Sequence, residues 1–353
     1  MSIDVSFSDE ERDRYSRNIV LDYIGFAGQK KLKGSRVLVV GVGGIGCYAA
    51  LLFAQMGVGS IRLVDMDIVE VSNLQRQGLY NTEFVNYPKV EAAKIQLTKL
   101  NPEITIEALP YFLDETNVMK LLDGVDVVVD GLDAMEPRYV LNRACHKLGV
   151  PYVFGAAIET YGNVLTIIPG ETACLECFYG NISDETLPSC GQVGVFPPVP
   201  SIVANIEVSE AVRILLGKSP KLAGTLLAVD ISDLSFEKIR LQKEKSCSVC
   251  SRSPDEIVFR SRRNETGVKA VCGRALKSTY IVLPERDLDL DFQKLVENLG
   301  SSYKVVLMSE LGVALTGCFG VDANILKSGV GIIKGARGEE AALKIYGELL
   351  ANF

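Results

Sequence analysis

The segment "GVGGIGCYAALLFAQMGVGSIRLVDMD", residues 41–67, follows an apolar run at 37–40 and constrains the fold more than any other part of the chain. It reads in order as a strand, a glycine-rich turn, a helix over about 45–56, a second turn at 57–59, and a strand at 61–65 that ends in an acid. That order is the βαβ unit of a dinucleotide-binding fold. Gly41, Gly43 and Gly46 let backbone amides and a helix N-terminus approach a phosphate. Asp65 stands 19 positions after Gly46, at a strand end where an acid can hold ribose hydroxyls. The glycine spacing alone also suits mere close packing, but in this setting it predicts a nucleotide. Which nucleotide is a separate question: NAD would make the chain a dehydrogenase, and ATP something different.

The alternation continues downstream. Strands "ITIEAL", "VDVVVDGL" and "PYVFGAA" are interleaved with helices "PKVEAAKIQLTKL", "ETNVMKLL" and "RYVLNRACHKLG", after a charged helical opening that ends at Gly34. The expectation is a Rossmann-like, doubly wound α/β fold with a mostly parallel sheet covered on both faces. Function then belongs beyond the carboxyl ends of the strands, at a switch point. From about Tyr161 the pattern shifts to strands that carry cysteine pairs, with a helix "IVANIEVSEAVRILLG" between them. Residues 1–255 read as one nucleotide-binding unit and 256–266 as a linker. Residues 267–353 read as a small α+β domain.

Charge and residue usage narrow the function classes. Lys plus Arg is 37 against 44 for Asp plus Glu, a net charge of −7, which argues against a nucleic-acid binder held by general electrostatics. The first 30 residues are polar and no run approaches the roughly 20 apolar residues of a membrane span, so a cytoplasmic protein without membrane contact is expected. In that compartment nine cysteines point to metal or thiol chemistry rather than a disulfide framework. The chain has one histidine, His146, placed within a helix, so the commonest general base is scarce.

Fixed charges separate ATP from NAD. "NLQRQ" supplies Asn73 and Arg76, "PKVEAAK" supplies Lys89, and "VVVDGLD" puts Asp130 and Asp133 at the end of the fourth strand. Cations there suit a triphosphate, and a carboxylate there can hold Mg²⁺ that bridges phosphates. Each cation alone would read as a solvated helix face; together they favour a phosphate pocket. "CLEC" and "CSVC" give Cys174, Cys177, Cys247 and Cys250, most simply one closed, structural zinc site of four thiolates that staples distant segments. Two unlinked redox or core pairs are the less economical reading. Cys190, in the polar loop "LPSCGQVG", is a nucleophile if its pKa is lowered and otherwise an inert thiol. Cys47 and Cys145 fall within helices and read as core, whereas Cys272 and Cys318 have no assignment.

With these residues in view, the chain resembles the ThiF/MoeB/HesA family, the prokaryotic relatives of ubiquitin-activating enzymes. The likeness covers roughly residues 10–255 through nine ordered motifs: "RYSRNI", "GVGGIG", "LVDMD", "NLQRQ", "PKVEAAK", "DGLD", "CLEC", "SCGQVGV" and "CSVC". It implies adenylation of the C-terminal glycine of a small protein by ATP, with release of pyrophosphate. It further implies that Gly41, Gly43 and Gly46 line the nucleotide loop, that Asp65 holds the ribose, and that Asn73, Arg76 and Lys89 contact phosphates. Asp133 would bind Mg²⁺. Arg14 would reach into a neighbouring subunit's site, which makes the protein a homodimer. Cys190 matches the loop cysteine that in some members attacks the acyl-adenylate. The family usually has Asn after the metal-binding Asp, where this chain has Ala134.

The reading that follows is ATP-dependent adenylation of a ubiquitin-like protein ending in Gly-Gly, then thioester formation on Cys190 and hand-over to a conjugating enzyme. The C-terminal segment, which loosely resembles a ubiquitin-fold domain, would recruit that enzyme. Activation of a sulfur-carrier protein in a thiamine, molybdopterin or tRNA thiolation pathway is the alternative. Adenylation of a peptide or small metabolite, an inactive scaffold, and an NAD oxidoreductase are the competing readings.

Overall fold

The computed structural model describes residues 6–187, 193–260, 263, 266–271, 278–299, 303–317 and 321–351. The first domain is built on an eight-stranded sheet of order β3-β2-β1-β4-β5-β6-β7-β8. Its strands are β1 (Arg36–Val40), β2 (Ser60–Val64), β3 (Thr105–Leu109), β4 (Val127–Asp130), β5 (Tyr152–Ile158), β6 (Tyr161–Ile167), β7 (Thr225–Asp230) and β8 (Ser235–Arg240). Pairings among the first five are parallel, and β6 to β8 add on antiparallel.

The chain winds outward from β1 to β3 in one direction and returns through β4 and β5 in the other. The switch point therefore lies between β1 and β4, where Val40 pairs with Asp130. Alternate residues of β1 serve opposite faces. Val37 and Val39 join a core with the helices Gly46–Met56, Lys89–Leu100 and Pro198–Leu215; Leu38 and Val40 join one with Met135–Leu148. Burial on both faces explains the unbroken apolar runs of these strands. The opening segment is helical, as expected, and ends at Gly34, but in three pieces, Asp9–Arg14, Ser16–Ile19 and Gly25–Gly34, with Gly25 in a left-handed conformation at the last break.

The second domain is a six-stranded sheet of order β11-β12-β13-β14-β10-β9. Its strands are β9 (Gly267–Val271), β10 (Thr279–Leu283), β11 (Tyr303–Met308), β12 (Gly312–Gly317), β13 (Asp322–Leu326) and β14 (Gly331–Lys334). All its pairings are antiparallel. The helices Phe292–Asn298 and Glu339–Leu349 pack on one face, with Leu295, Ala342 and Tyr346 in the shared core. From the other face Ile281, Leu283, Leu326, Val330 and Ile332 bury Ile68 of the first domain.

Candidate functional site

The switch point is closed by glycine. Gly41 follows β1 with φ +80°, and a Cβ there would lie 2.5 Å from the Gly131 carbonyl. A Cβ on Gly46 would lie 1.8 Å from the Gly41 oxygen, so the first and third glycines are fixed by packing. Gly43 differs: a Cβ would meet nothing nearer than Gln77 at 3.8 Å, which leaves that backbone open to a ligand. The loop is held from behind by the Val42 N–H donating to Asp65 at 2.7 Å and the Tyr80 hydroxyl donating to the Val42 carbonyl at 2.8 Å.

Asp65, at the end of β2, thus orients the loop. Burial raises its carboxyl above the usual range, while the Lys89 ammonium opposes the rise. Lys89 is itself buried and donates to Asp67 at 2.8 Å. Local pairing puts it there, since its backbone N–H donates to the Asp67 carbonyl and Ile68 bridges Pro88.

Asn73 ends a short 3-10 turn, and its carbonyl accepts from the Arg76 and Gln77 amides at 3.1 and 3.0 Å. This turn abuts the glycine loop, with Arg76 Cδ 3.7 Å from the Cβ position of Gly44. Asn73 Nδ2 and Gln77 Oε1 are buried without a hydrogen-bond partner among the described residues. Unsatisfied buried polar atoms cost about 1–3 kcal/mol each, and a polyanion with its hydration at this wall supplies what they lack. The residues present therefore suit a nucleotide phosphate chain.

The two strand-end acids have different fates. Asp130 is fully buried, bonded by Arg138 Nε at 3.0 Å, the Tyr152 hydroxyl at 2.5 Å and the Leu132 N–H at 2.8 Å. Such an acid is structural. Asp133, by contrast, is exposed at the mouth and has the chemistry for Mg²⁺. Ala134 is the N-cap of the helix Met135–Leu148 and offers no side-chain bond. Asp184 caps it instead, accepting from the Met135 and Glu136 amides at 2.5 and 3.0 Å.

Arg14 donates to the Leu100 carbonyl at 2.8 Å, at the far end of the helix that begins with Lys89. The helix has 12 residues, and the rises between them at about 1.5 Å each separate its ends by about 17 Å. Arg14 is therefore not brought to its own chain's crevice. Cys190, Cys272 and Cys318 lie outside the described residues. Cys47 is buried, and desolvation pushes its thiol up to about 11.

The four remaining cysteines converge. Sγ of Cys174 lies 3.6 Å from that of Cys247 and 3.9 Å from that of Cys177, and Cys177 lies 3.6 Å from Cys250. All four sulfurs fall within 4.8 Å of one another. Zn–S bonds of about 2.3 Å in a tetrahedron put sulfurs about 3.8 Å apart, so the cluster has the dimensions of a closed zinc site. Sequence reasoning missed Asp67, Gln77, Tyr80, Arg138 and Asp184. Asp67 and Gln77 fall within the motifs "LVDMD" and "NLQRQ", which is the signal that could have found them; the other three have none.

Residues 15–249 match the ThiF family. Among curated proteins, a sulfur carrier protein adenylyltransferase of Thermus thermophilus is 38% identical over 270 residues, 75% of this chain and 97% of its own length. A SAMP-activating enzyme E1 of Haloferax volcanii is 38% identical over 70% of this chain and 91% of its own. A molybdopterin-synthase adenylyltransferase of Escherichia coli is 37% identical over 69% and 98%. Among solved structures, E. coli MccB with ATP superposes with a TM-score of 0.60 at 26% identity, covering 68% of this chain and 75% of that one. The glycine crevice, the charged turn beside it and three of the four clustered cysteines, Cys174, Cys177 and Cys247, lie within the matched residues, and the chain belongs to the ThiF family.

Proposed function

We propose that this chain is an ATP-dependent adenylyltransferase that activates the C-terminal glycine of a small sulfur-carrier protein ending in Gly-Gly. The observation that carries the reading is the meeting, at one switch point, of the open Gly43 backbone, the unsatisfied Asn73 and Gln77 side chains, buried Lys89 and outward Asp133. The names of the relatives favour a sulfur carrier over the ubiquitin-like conjugation expected from the sequence.

In the reaction, a carboxylate oxygen of the carrier attacks the α-phosphorus of ATP. The bond from that phosphorus to the bridging oxygen breaks, and pyrophosphate leaves with the electron pair. The nucleophile is already ionised at neutral pH, so the step needs fixed charge rather than a general base. Asp65 holds the nucleoside end, and the loop amides with Asn73, Arg76 and Lys89 hold the phosphates. Asp133 would hold Mg²⁺, whose contribution is to neutralise charge on the phosphates. Cys174, Cys177, Cys247 and Cys250 would hold Zn²⁺ in a structural role.

The distance of Arg14 from its own crevice supports a homodimer in which it serves the partner's site. A thioester on Cys190, formed as its thiolate attacks the acyl-adenylate and AMP leaves, is the proposed fate of the acyl group; a thiol-labile adduct present with wild type and absent with Cys190→Ala supports it. Recruitment of a conjugating enzyme by the C-terminal domain has less support: its helices cover one face of the sheet and the first domain packs on the β10, β13 and β14 part of the other, while β11 exposes Val306 and Met308. The test is ATP–pyrophosphate exchange with purified carrier proteins, comparing wild type with Cys190→Ala. Exchange that requires an intact Gly-Gly terminus supports adenylation; no exchange with any carrier moves the reading to a peptide or small-metabolite substrate.

A further inference from the structure

We propose that Lys334 of the C-terminal domain is a positioning residue for the nucleotide site, acting through Glu70 on Asn73. The inference rests on the ATP site described above but adds a residue outside the stretch matched to the family. Lys334 ends β14, and its Nζ donates to Glu70 Oε1 at 2.6 Å, with the two side chains only 20% and 25% exposed. Glu70 in turn grips Asn73 twice. Its carboxylate accepts from the Asn73 backbone N–H, and its own N–H donates to Asn73 Oδ1 at 3.2 Å.

The consequence for Asn73 is specific. With Oδ1 engaged, the side chain is left with Nδ2 as its unsatisfied end, and the turn that carries Arg76 and Gln77 hangs from the Asn73 carbonyl. Lys334 fixes where the Glu70 carboxylate lies, and that carboxylate fixes where the turn begins. Lys334 also neutralises an anion that would otherwise stand unpaired three residues from a phosphate ligand. Both effects favour nucleotide binding.

Domain docking does not depend on this ion pair. The Glu91 carboxylate accepts from Ser309 Oγ at 2.7 Å and from the Glu310 and Leu311 amides at 3.0 Å, and Ile68 is buried by five apolar side chains. Removing the Lys334 charge should therefore leave the domains together.

The experiment uses the full chain and reads ATP affinity by calorimetry, with ATP KM and kcat from pyrophosphate exchange. Lys334→Met should weaken ATP binding and raise its KM about fivefold, a modest coupling, with kcat changed less than about twofold. Lys334→Arg should restore binding. In an Asn73→Ala background Lys334→Met should have no further effect, because the two act in series. Lys94→Met, which cuts an exposed 3.5 Å contact to Glu310 between the same domains, is the control and should leave affinity unchanged. Should Lys334→Met fail to fold, Lys334→Gln carries the same comparison.

Unchanged ATP affinity in the Lys334 variants overturns the inference, as does an equal loss in Lys94→Met or full additivity with Asn73→Ala. Absence of ATP binding by wild type would overturn the ATP reading itself, and this inference with it.

Discussion

Gly41 and Gly131 face each other across the switch point too closely for a side chain on either. A Cβ on Gly131 would lie 2.2 Å from the Gly41 oxygen, and one on Gly41 2.5 Å from the Gly131 carbonyl. Neither obstacle is a flexible side chain, so relief requires the two strand ends to part. Gly131→Ala should cost about 1–3 kcal/mol of stability, as overpacking does, and should weaken ATP binding in the same protein. Denaturant unfolding together with ATP calorimetry would check both; a variant with wild-type stability would contradict the close approach.

The cysteine cluster predicts one tightly held zinc per chain. Joining Cys177 to Cys247 through a metal closes a loop of residues 178–246, which constrains the denatured chain by roughly 4 kcal/mol in a cross-link treatment. Chelation or Cys250→Ala should accordingly lower Tm by about 10 °C. Metal analysis of protein purified without chelator is the direct check.

Glu207 predicts a pH effect. It is fully buried, lies against Gly155, and neither of its carboxylate oxygens has a hydrogen-bond partner among the described residues. Burial pushes its carboxyl well above the usual range, with the nearby Asp130 adding to the rise. The folded protein therefore keeps a proton that the unfolded chain releases near pH 4.3. Wild type should lose stability relative to Glu207→Gln as pH climbs from there, by up to about 1.4 kcal/mol per unit until the folded value is reached. Melting both proteins between pH 5 and 8 would reveal the divergence, and parallel curves would exclude it.

Asp184 is predicted to matter at a distance from its own segment. It caps the helix Met135–Leu148, whose own N-cap residue is Ala134, so Asp184→Ala should cost about 0.5–2 kcal/mol. Ala134→Asn in that background should recover part of the loss. Thermal denaturation of the single and double variants measures both.

A composite site makes a stricter prediction. Arg14→Ala and Lys89→Ala should each abolish most turnover alone. Mixed and re-associated in equal amounts, they should return about a quarter of wild-type activity, from the one intact site in each hybrid dimer. Failure of the mixture to recover any activity would argue that Arg14 serves no neighbouring site.

Much of this was legible in the sequence because it is local. The glycine spacing, the strand-end Asp65 and the CxxC pairs are short-range signals whose chemistry requires those residues at those intervals. What escaped was decided by contacts across the fold. Nothing near Asp130 in the sequence says that Arg138 and Tyr152 will engage it, so it looked equivalent to Asp133 until the structure divided their roles. Ala134 read as a gap because the cap, Asp184, comes from a distant segment, 49 positions beyond Met135. The opening segment read as helical and charged up to Gly34, but its composition gave no sign of the breaks that divide it into Asp9–Arg14, Ser16–Ile19 and Gly25–Gly34. The role of Lys334 depends on a separate domain folding back onto Glu70, which no pattern in either segment encodes.

The pairing of Lys89 with Asp67 means that the pocket carries its own counter-ion. On the proposed reading, a phosphate held by Lys89 would trade places with the Asp67 carboxylate rather than fall onto a bare cation. A singly charged anion gains little from that exchange. A polyphosphate that also engaged Arg76 and the loop amides would gain more from it. Valence thereby becomes a filter, and the crevice can stay unclogged by the small inorganic anions that crowd any cell.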